Sequence, residues 1–306
     1  MAEPSFLEAI TQTPLLQHAL IAGALAGACC ASLSPLVVLR RMAFIGDGMA
    51  HAAFGGIGLA LFLVAGSRYD DLSVQAITLG FCLLLGVAIG VASRRTESNL
   101  LAEDSAIGIA FSVSMALGAL FIVLRQQRNP QYVPSIDTFL FGSLLSISGS
   151  DLIILTVVML VALATLIFLQ KEILFYAFDA RLAEVSGVNV GLIHYLLLLL
   201  LTLTVVISSR LVGIVLVSAS LILPGVIALK LCARLMPAIF LAMAVGVISF
   251  ELGLFVAYTH GKIHPGSAII LIQFALLLVA LGSNRLRKKL TTIQNRSRTK
   301  KQRSAM

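Results

Sequence analysis

RRMAFIGDGMAHAAFGGIGLALFLVAG, residues 40–66, is the stretch whose reading decides the fold. After its two arginines come 25 residues in which Asp47 and His51 are the only ionisable side chains. A run of about 20 apolar residues crosses a hydrocarbon core of about 30 Å as a helix. A charge at the centre of such a helix costs about 2.5–3.5 kcal/mol on insertion scales, so an ionisable residue there is by default a hypothesis about a substrate or ion path. Positions i and i+4 of a helix are neighbours, about 5–6 Å apart at Cβ. The carboxylate and the imidazole therefore share one face.

The rest of the chain repeats this pattern. Of 306 residues 59% are apolar and 12% charged, and there is no tryptophan. Apolar runs of spanning length recur from end to end, which reads as an all-α polytopic membrane protein. The longest polar pieces, Arg94 to Asp104, Gln170 to Val190 and the tail after Gly282, are too short to bury a core. The expected organisation is one transmembrane domain over residues 1–283 and a disordered basic tail over 284–306. The start, MAEPSFLEAITQTPLLQ, lacks the basic n-region and small-residue cleavage site of a secretory signal, so the first apolar run reads as a retained span. Cys29, Cys30, Cys82 and Cys232 fall in or beside spans without C-x-x-C spacing, which argues against a disulfide framework and a cysteine zinc site. The net charge of +8 does not point to nucleic acid. Nine of the 22 Lys/Arg lie in the last 23 residues, without an acid among them, as a cytoplasmic end beside anionic lipid would carry.

Candidate spans cover 15–39, 42–66, 72–93, 105–124, 151–169, 192–209, 211–229, 235–259 and 266–283, with eight spans as the alternative count. With nine and the tail inside, eight further Lys/Arg are cytoplasmic and five are outside, which supports an extracytoplasmic N-terminus. Pro134 to Ser148, PSIDTFLFGSLLSIS, is apolar but too short to cross, and reads as a re-entrant or interfacial helix on the outer side. GALAG (Gly23 to Gly27) and GVAIG (Gly86 to Gly90) have the G-x-x-x-G spacing of close helix packing, a pattern that a Gly-rich membrane chain also produces by chance.

Carboxylate plus imidazole suits zinc, manganese or ferrous iron. Two donors do not close a structural site, whereas a permease needs a partial shell that releases its ion. The bland alternative is an intrahelical Asp47–His51 hydrogen bond inside the bundle. By chain position Asp47 is expected toward the cytoplasmic side and His51 nearer the middle. Glu251, the other acid deep in a span, can line the same cavity, pair with Arg210 or stay protonated. His260 and His264 flank an outer loop at spacing four and offer either a landing site for a divalent ion or two solvated rings. Glu103 and Asp104 suit the N-terminal turn of the fourth span. In FYAFDARLAEVSGVNVG, Phe175 to Gly191, Asp179 can cap a short helix over Ala180 to Val185 that Gly187 stops. That helix is a docking element or an amphipathic connector. No G-x-x-x-x-G-K-S/T occurs, so this chain has no P-loop for ATP.

These motifs, in this order, resemble the membrane permease subunits of bacterial zinc, manganese and iron ABC importers, the ABC-3 family. VVLRRMAFIGDGMAHAAFGGIGLA resembles the family's basic turn followed by Gly-Asp, small residues and His-Ala. EDSAIGIAFSVSMALGALF, DTFLFGSLL, FDARLAEVSGV and LVGIVLVSASLILPGVIAL, with its late Pro224, resemble four further family segments. The outer loop departs from the pattern, since GKIHPGS has His264 where the family usually has an acid. The resemblance implies that Asp47 and His51 are the polar pair of the second span. It makes residues from about 170 to 190 the ATPase-coupling segment, with Phe178, Asp179, Ala183 and Gly187 at its centre. It further implies a bacterial inner-membrane homodimer, two ATPase subunits beneath, an extracytoplasmic metal-binding protein, a divalent ion as cargo and no permanently bound cofactor. The rival reading is an ion-coupled secondary carrier in which Asp47, His51 and Glu251 relay protons without an ATPase.

Overall fold

Hydrocarbon leaves backbone amides no water to bond, so a chain this apolar satisfies them within helices. The computed structural model describes residues 13–64, 72–95, 100–128, 136–142, 147, 149–260 and 263–283, and all its regular structure among them is helical. The helices are α1 (Pro14–Leu39), α2 (Ala43–Leu63), α3 (Leu72–Arg95), α4 (Leu100–Arg128), α5 (Ile136–Phe141), α6 (Gly149–Phe168), α7 (Gln170–Phe178), α8 (Ala180–Val185), α9 (Val190–Val212), α10 (Ile214–Ser220), α11 (Leu223–Leu231), α12 (Leu235–His260) and α13 (Pro265–Ser283). Nine stretches among the described residues are long and apolar enough to cross a membrane, α10 and α11 together forming the seventh. This agrees with the higher of the two expected counts. The basic tail and the Glu103 and Asp104 side chains lie outside the described residues, and of the short outer segment the described helix is α5.

Small residues place α1 and α2 at the centre, buried on nearly all sides. A Cβ added at Gly27 would meet the Gly246 carbonyl of α12 at 3.0 Å, and one at Gly23 would meet Leu254 at 3.1 Å. GALAG is therefore a true packing seam. Gly86 of GVAIG has only ordinary contacts, to Met49 and Thr202. Along α2, Gly55 faces Ser114 and Gly58 faces Gly118 of α4, while Gly56 faces Thr78 of α3. The backbones of α2 and α4 thus touch directly. Leu84, Ile109, Leu120, Ile153, Phe240 and Val279 stay exposed on the surrounding helices, as surfaces meant for lipid do.

Two irregularities shape the ends. At one, Arg41 has a left-handed backbone (φ 56), and Met42 N–H donates to the Val37 carbonyl at 2.8 Å, so three residues reverse the chain between α1 and α2. At the other, Gly142 after α5 (φ 75) and Gly213 between α9 and α10 (φ 88) press backbone on backbone, where no Cβ fits. The seventh span is not the continuous helix its hydropathy suggests. It breaks at Leu221–Ile222, because Pro224 has no N–H to continue the ladder. Ser34 Oγ of α1 accepts the Gly225 N–H at 2.7 Å, and Gln273 Nε2 of α13 donates to Ser220 Oγ at 3.0 Å, which ties both sides of the break.

The α2–α4 contact gives a direct test. Gly58→Ala puts a methyl 2.6 Å from the Gly118 carbonyl oxygen, on backbone that cannot yield. Overpacking of this kind costs about 1–3 kcal/mol. Its yield of monodisperse, membrane-extracted protein should fall several-fold by size-exclusion chromatography, whereas Gly80→Ala, which meets nothing within 4 Å, should match the wild type.

Candidate metal pathway and coupling surface

The glycines of α2 set the position of Asp47 and His51. Gly48 packs on Ile107 and Gly46 lies against Leu201 and Leu221, which leaves the Asp47 side of the helix uncovered. Asp47 is 46% exposed and His51 19%. Leu201 is the central residue of α9, and Met42 shares a small cavity with Leu197 and Leu201. Gly46, the residue before Asp47, therefore lies level with the middle of α9.

His51 Nε2 and Asp47 Oδ1 are 3.7 Å apart, beyond hydrogen-bond length, so the alternative of an intrahelical hydrogen bond is not made. Two ligand bonds of about 2.0–2.2 Å span that gap with an ion between them. The ring of His51 meets Phe111 edge-on at 4.5 Å, and its buried Nδ1 has no hydrogen-bond partner. Toward the α5 end, Phe54 of the same helix packs edge-to-face on fully buried Phe139, centroids 5.3 Å apart, and closes the face above His51. Among the described residues no group of three or more His, Cys, Asp or Glu could hold a metal. The described residues of one copy thus place two such donors side by side on an open flank.

The other candidate donors lie elsewhere. Glu251 sits on α12, which packs on α1 and α11, and its buried Oε1 has no hydrogen-bond partner. It does not pair with Arg210, whose Nη2 donates to Asp151 Oδ1 of α6 at 2.9 Å. His264 Nδ1 accepts the Gly266 N–H at 3.3 Å at the start of α13, and its ring packs on Phe141 at 4.9 Å. His260 Nδ1 lies 3.2 Å from the Val256 carbonyl at the end of α12. Both rings therefore serve local structure through Nδ1. All four cysteines are free thiols.

At the end of the bundle that holds the α1–α2 turn, Asp179 both ends α7 and caps α8. Its carboxylate accepts the N–H groups of Arg181 at 2.9 Å and Leu182 at 3.1 Å. Gly187 (φ 84) stops α8 and lets Val188 N–H reach the Ala183 carbonyl at 3.0 Å. Ala183 is wholly buried, while Phe178, Leu182 and Val185 are exposed. Beside Phe178, a cleft of about 660 Å³ is lined by Lys171, Leu174, Arg234 and Met236 among others. Sequence reasoning missed Tyr176, Arg40 and His194, which meet behind this surface. Gln273, alone among the apolar residues of its span, marks a polar contact without naming its partner.

Nine apolar helical stretches of spanning length among the described residues, packed around two small-residue helices, define a multi-span membrane protein with a short apolar helix exposed at one end. The chain belongs to the ABC 3 transport family, whose signature matches residues 12–284. It is 32% identical to the manganese transport system membrane protein MntC of Listeria monocytogenes, over 90% of this chain and 92% of that one. It is 33% identical to the chelated iron transport system membrane protein YfeD of Yersinia pestis, over 90% and 87%. Among solved structures it resembles PsaBC from Streptococcus pneumoniae, solved in complex with a Fab, with a TM-score of 0.77 and 29% identity over 90% of this chain and 94% of that one.

The α8 cap is testable without any partner. Asp179→Ala should cost about 1 kcal/mol locally, seen as roughly fivefold faster amide exchange at Arg181 and Leu182. Asp179→Asn, which keeps an acceptor, should retain most of the protection.

Proposed function

We propose that this chain is the membrane-spanning permease subunit of an ATP-binding-cassette importer for a divalent metal ion, and that Asp47 and His51 are transient ligands on its path. The observation that carries the site is the part-exposed carboxylate–imidazole pair of α2, with a gap between its donor atoms that two ligand bonds would span. Oxygen and nitrogen donors suit manganese, iron and zinc alike, and the relatives are named for manganese and chelated iron. His260 and His264 are engaged locally and Glu251 stands on another helix, so the proposal rests on the α2 pair.

A half-exposed carboxylate facing hydrocarbon is too costly to leave bare. A second copy placed across a two-fold axis covers it and brings a second carboxylate and a second imidazole to one path. Such a shell, completed by water, holds an ion without trapping it. The basic tail and the excess of Lys/Arg in the inner turns support a cytoplasmic α8, which displays Phe178, Leu182 and Val185 to an ATPase subunit. The odd number of spans then puts the N-terminus outside, where an extracytoplasmic binding protein delivers the ion. ATP binding shifts the helices between two arrangements, and a ligand set that differs between them supplies the difference in affinity that pumping requires.

In cells carrying the complete transporter, Asp47→Asn and His51→Ala should each lower manganese accumulation at least about tenfold, since loss of even an outer-shell partner costs about 10–100-fold. Membrane insertion and co-purification with the ATPase should persist. Normal accumulation by both variants would remove the pair from the path. Because imidazole must be neutral to ligate, wild-type uptake should also weaken as the medium is acidified through its titration. Uptake by this chain alone, driven by a proton gradient without ATP, would point to the secondary-carrier rival.

A further inference from the structure

Behind the α8 surface one side chain joins the coupling segment to the helix of the metal pair. Arg40, the last residue before the left-handed turn, donates from Nη1 to the Tyr176 carbonyl at 3.0 Å, and its guanidinium carbon stands 4.0 Å over the centre of the Tyr176 ring. Tyr176 is 1% exposed, and its hydroxyl lies 2.7 Å from His194 Nδ1 at the start of α9. Arg40 forms no ion pair among the described residues, and its buried Nε has no hydrogen-bond partner. A part-buried guanidinium without a carboxylate loses hydration that no opposite charge replaces. What fixes it here is the ring and carbonyl of Tyr176, 136 residues away in the chain.

The connections on either side contain no slack. Toward α8, Tyr176 lies within α7, whose terminal cap Asp179 is also the N-cap of α8, so the two helices share a residue instead of a loop. Toward the metal pair, Arg40 N–H donates to the Leu36 carbonyl at 2.9 Å, Met42 N–H to Val37 at 2.8 Å, and Gly46 N–H to Met42 at 2.9 Å. Arg41 is held at φ 56, a strained setting for a residue with a side chain. α2 begins at Ala43, and Asp47 stands one helical turn further on. A displacement of α8 therefore passes through α7 and Tyr176 to Arg40, and the three-residue turn has no freedom with which to absorb it.

We propose that Arg40 is the positioning residue that transmits movement of the coupling segment to the metal ligands, gripping Tyr176 and dragging the start of α2 with it. The proposal rests on the importer reading above. Its charge alone is not the point: a lysine would keep the cation but lose the planar group that stacks and donates at once. The alternative is that Arg40 is only an anchor of the inner turn, in which case its loss weakens assembly without separating hydrolysis from transport.

The test uses the transporter purified with its ATPase subunits in proteoliposomes, with manganese uptake and ATP hydrolysis measured in the same vesicles. Arg40→Ala should keep hydrolysis within about twofold of wild type while manganese carried per ATP falls about tenfold or more, within the 5–150-fold range usual for coupling between sites. Tyr176→Leu, which removes the ring, should lower that ratio several-fold, and Tyr176→Phe, which keeps ring and carbonyl, should stay near wild type. If Arg40→Ala does not assemble, Arg40→Lys and Tyr176→Leu decide: an intact complex with a lowered ratio supports transmission, and an unchanged ratio overturns it. Uptake and hydrolysis that fall in parallel with the amount of assembled complex would reduce Arg40 to an anchor. Wild-type uptake that ignores ATP contradicts the importer itself. An ATP-driven wild type beside an unaltered Arg40→Ala ratio contradicts only the route through Arg40.

Discussion

The contact on which the rest of the structure depends is the backbone-to-backbone approach of α2 and α4, Gly55 on Ser114 and Gly58 on Gly118. In lipid, apolar side chains gain little by leaving one apolar medium for another, so helices associate through close packing and hydrogen bonds. Glycine makes that approach possible. With one flank of α2 pressed on α4 and another on α3 through Gly56 and Thr78, the helix has a fixed rotation. That rotation turns Asp47 and His51 to the open side and holds them as a pair. A shift of α2 by one residue would bury the carboxylate among apolar neighbours.

The same constraint explains why the two ends of the site differ. Toward α5, Phe54 and Phe139 close the face with apolar rings, and Gly142 and Gly213 lock that cover to the α9–α10 turn. Toward α8, the contacts are polar: Arg40 on Tyr176, Tyr176 on His194, and Asp179 shared by two helices. One end is thus held by packed rings and backbone contact, the other by hydrogen bonds and a stacked guanidinium. The break at Leu221–Ile222 adds a third feature, because it lies against Gly46 and is tied to α1 by Ser34 and to α13 by Gln273.

What could be read from the sequence follows from the range of the forces involved. Hydropathy is local, and it located every span to within a few residues. Capping is local too, so Asp179 and Gly187 declared the ends of α8 before any coordinates. GALAG was visible as spacing, but only the partner Gly246 makes it a seam. Long-range pairings had no local signal. Ser34 meets Gly225, 191 residues on, and the acid that meets Arg210 is Asp151 instead of Glu251. His260 and His264 showed their spacing in the sequence, but not the backbone groups of Val256 and Gly266 that their Nδ1 atoms meet.

The central claim is that Asp47 and His51 touch the travelling ion. X-ray absorption at the manganese edge, on the purified transporter loaded with manganese, tests this most directly. The account predicts a mixed oxygen and nitrogen first shell with the outer scattering of imidazole, which disappears in His51→Ala. An all-oxygen shell in the wild type, or imidazole scattering that survives in that variant, would contradict it.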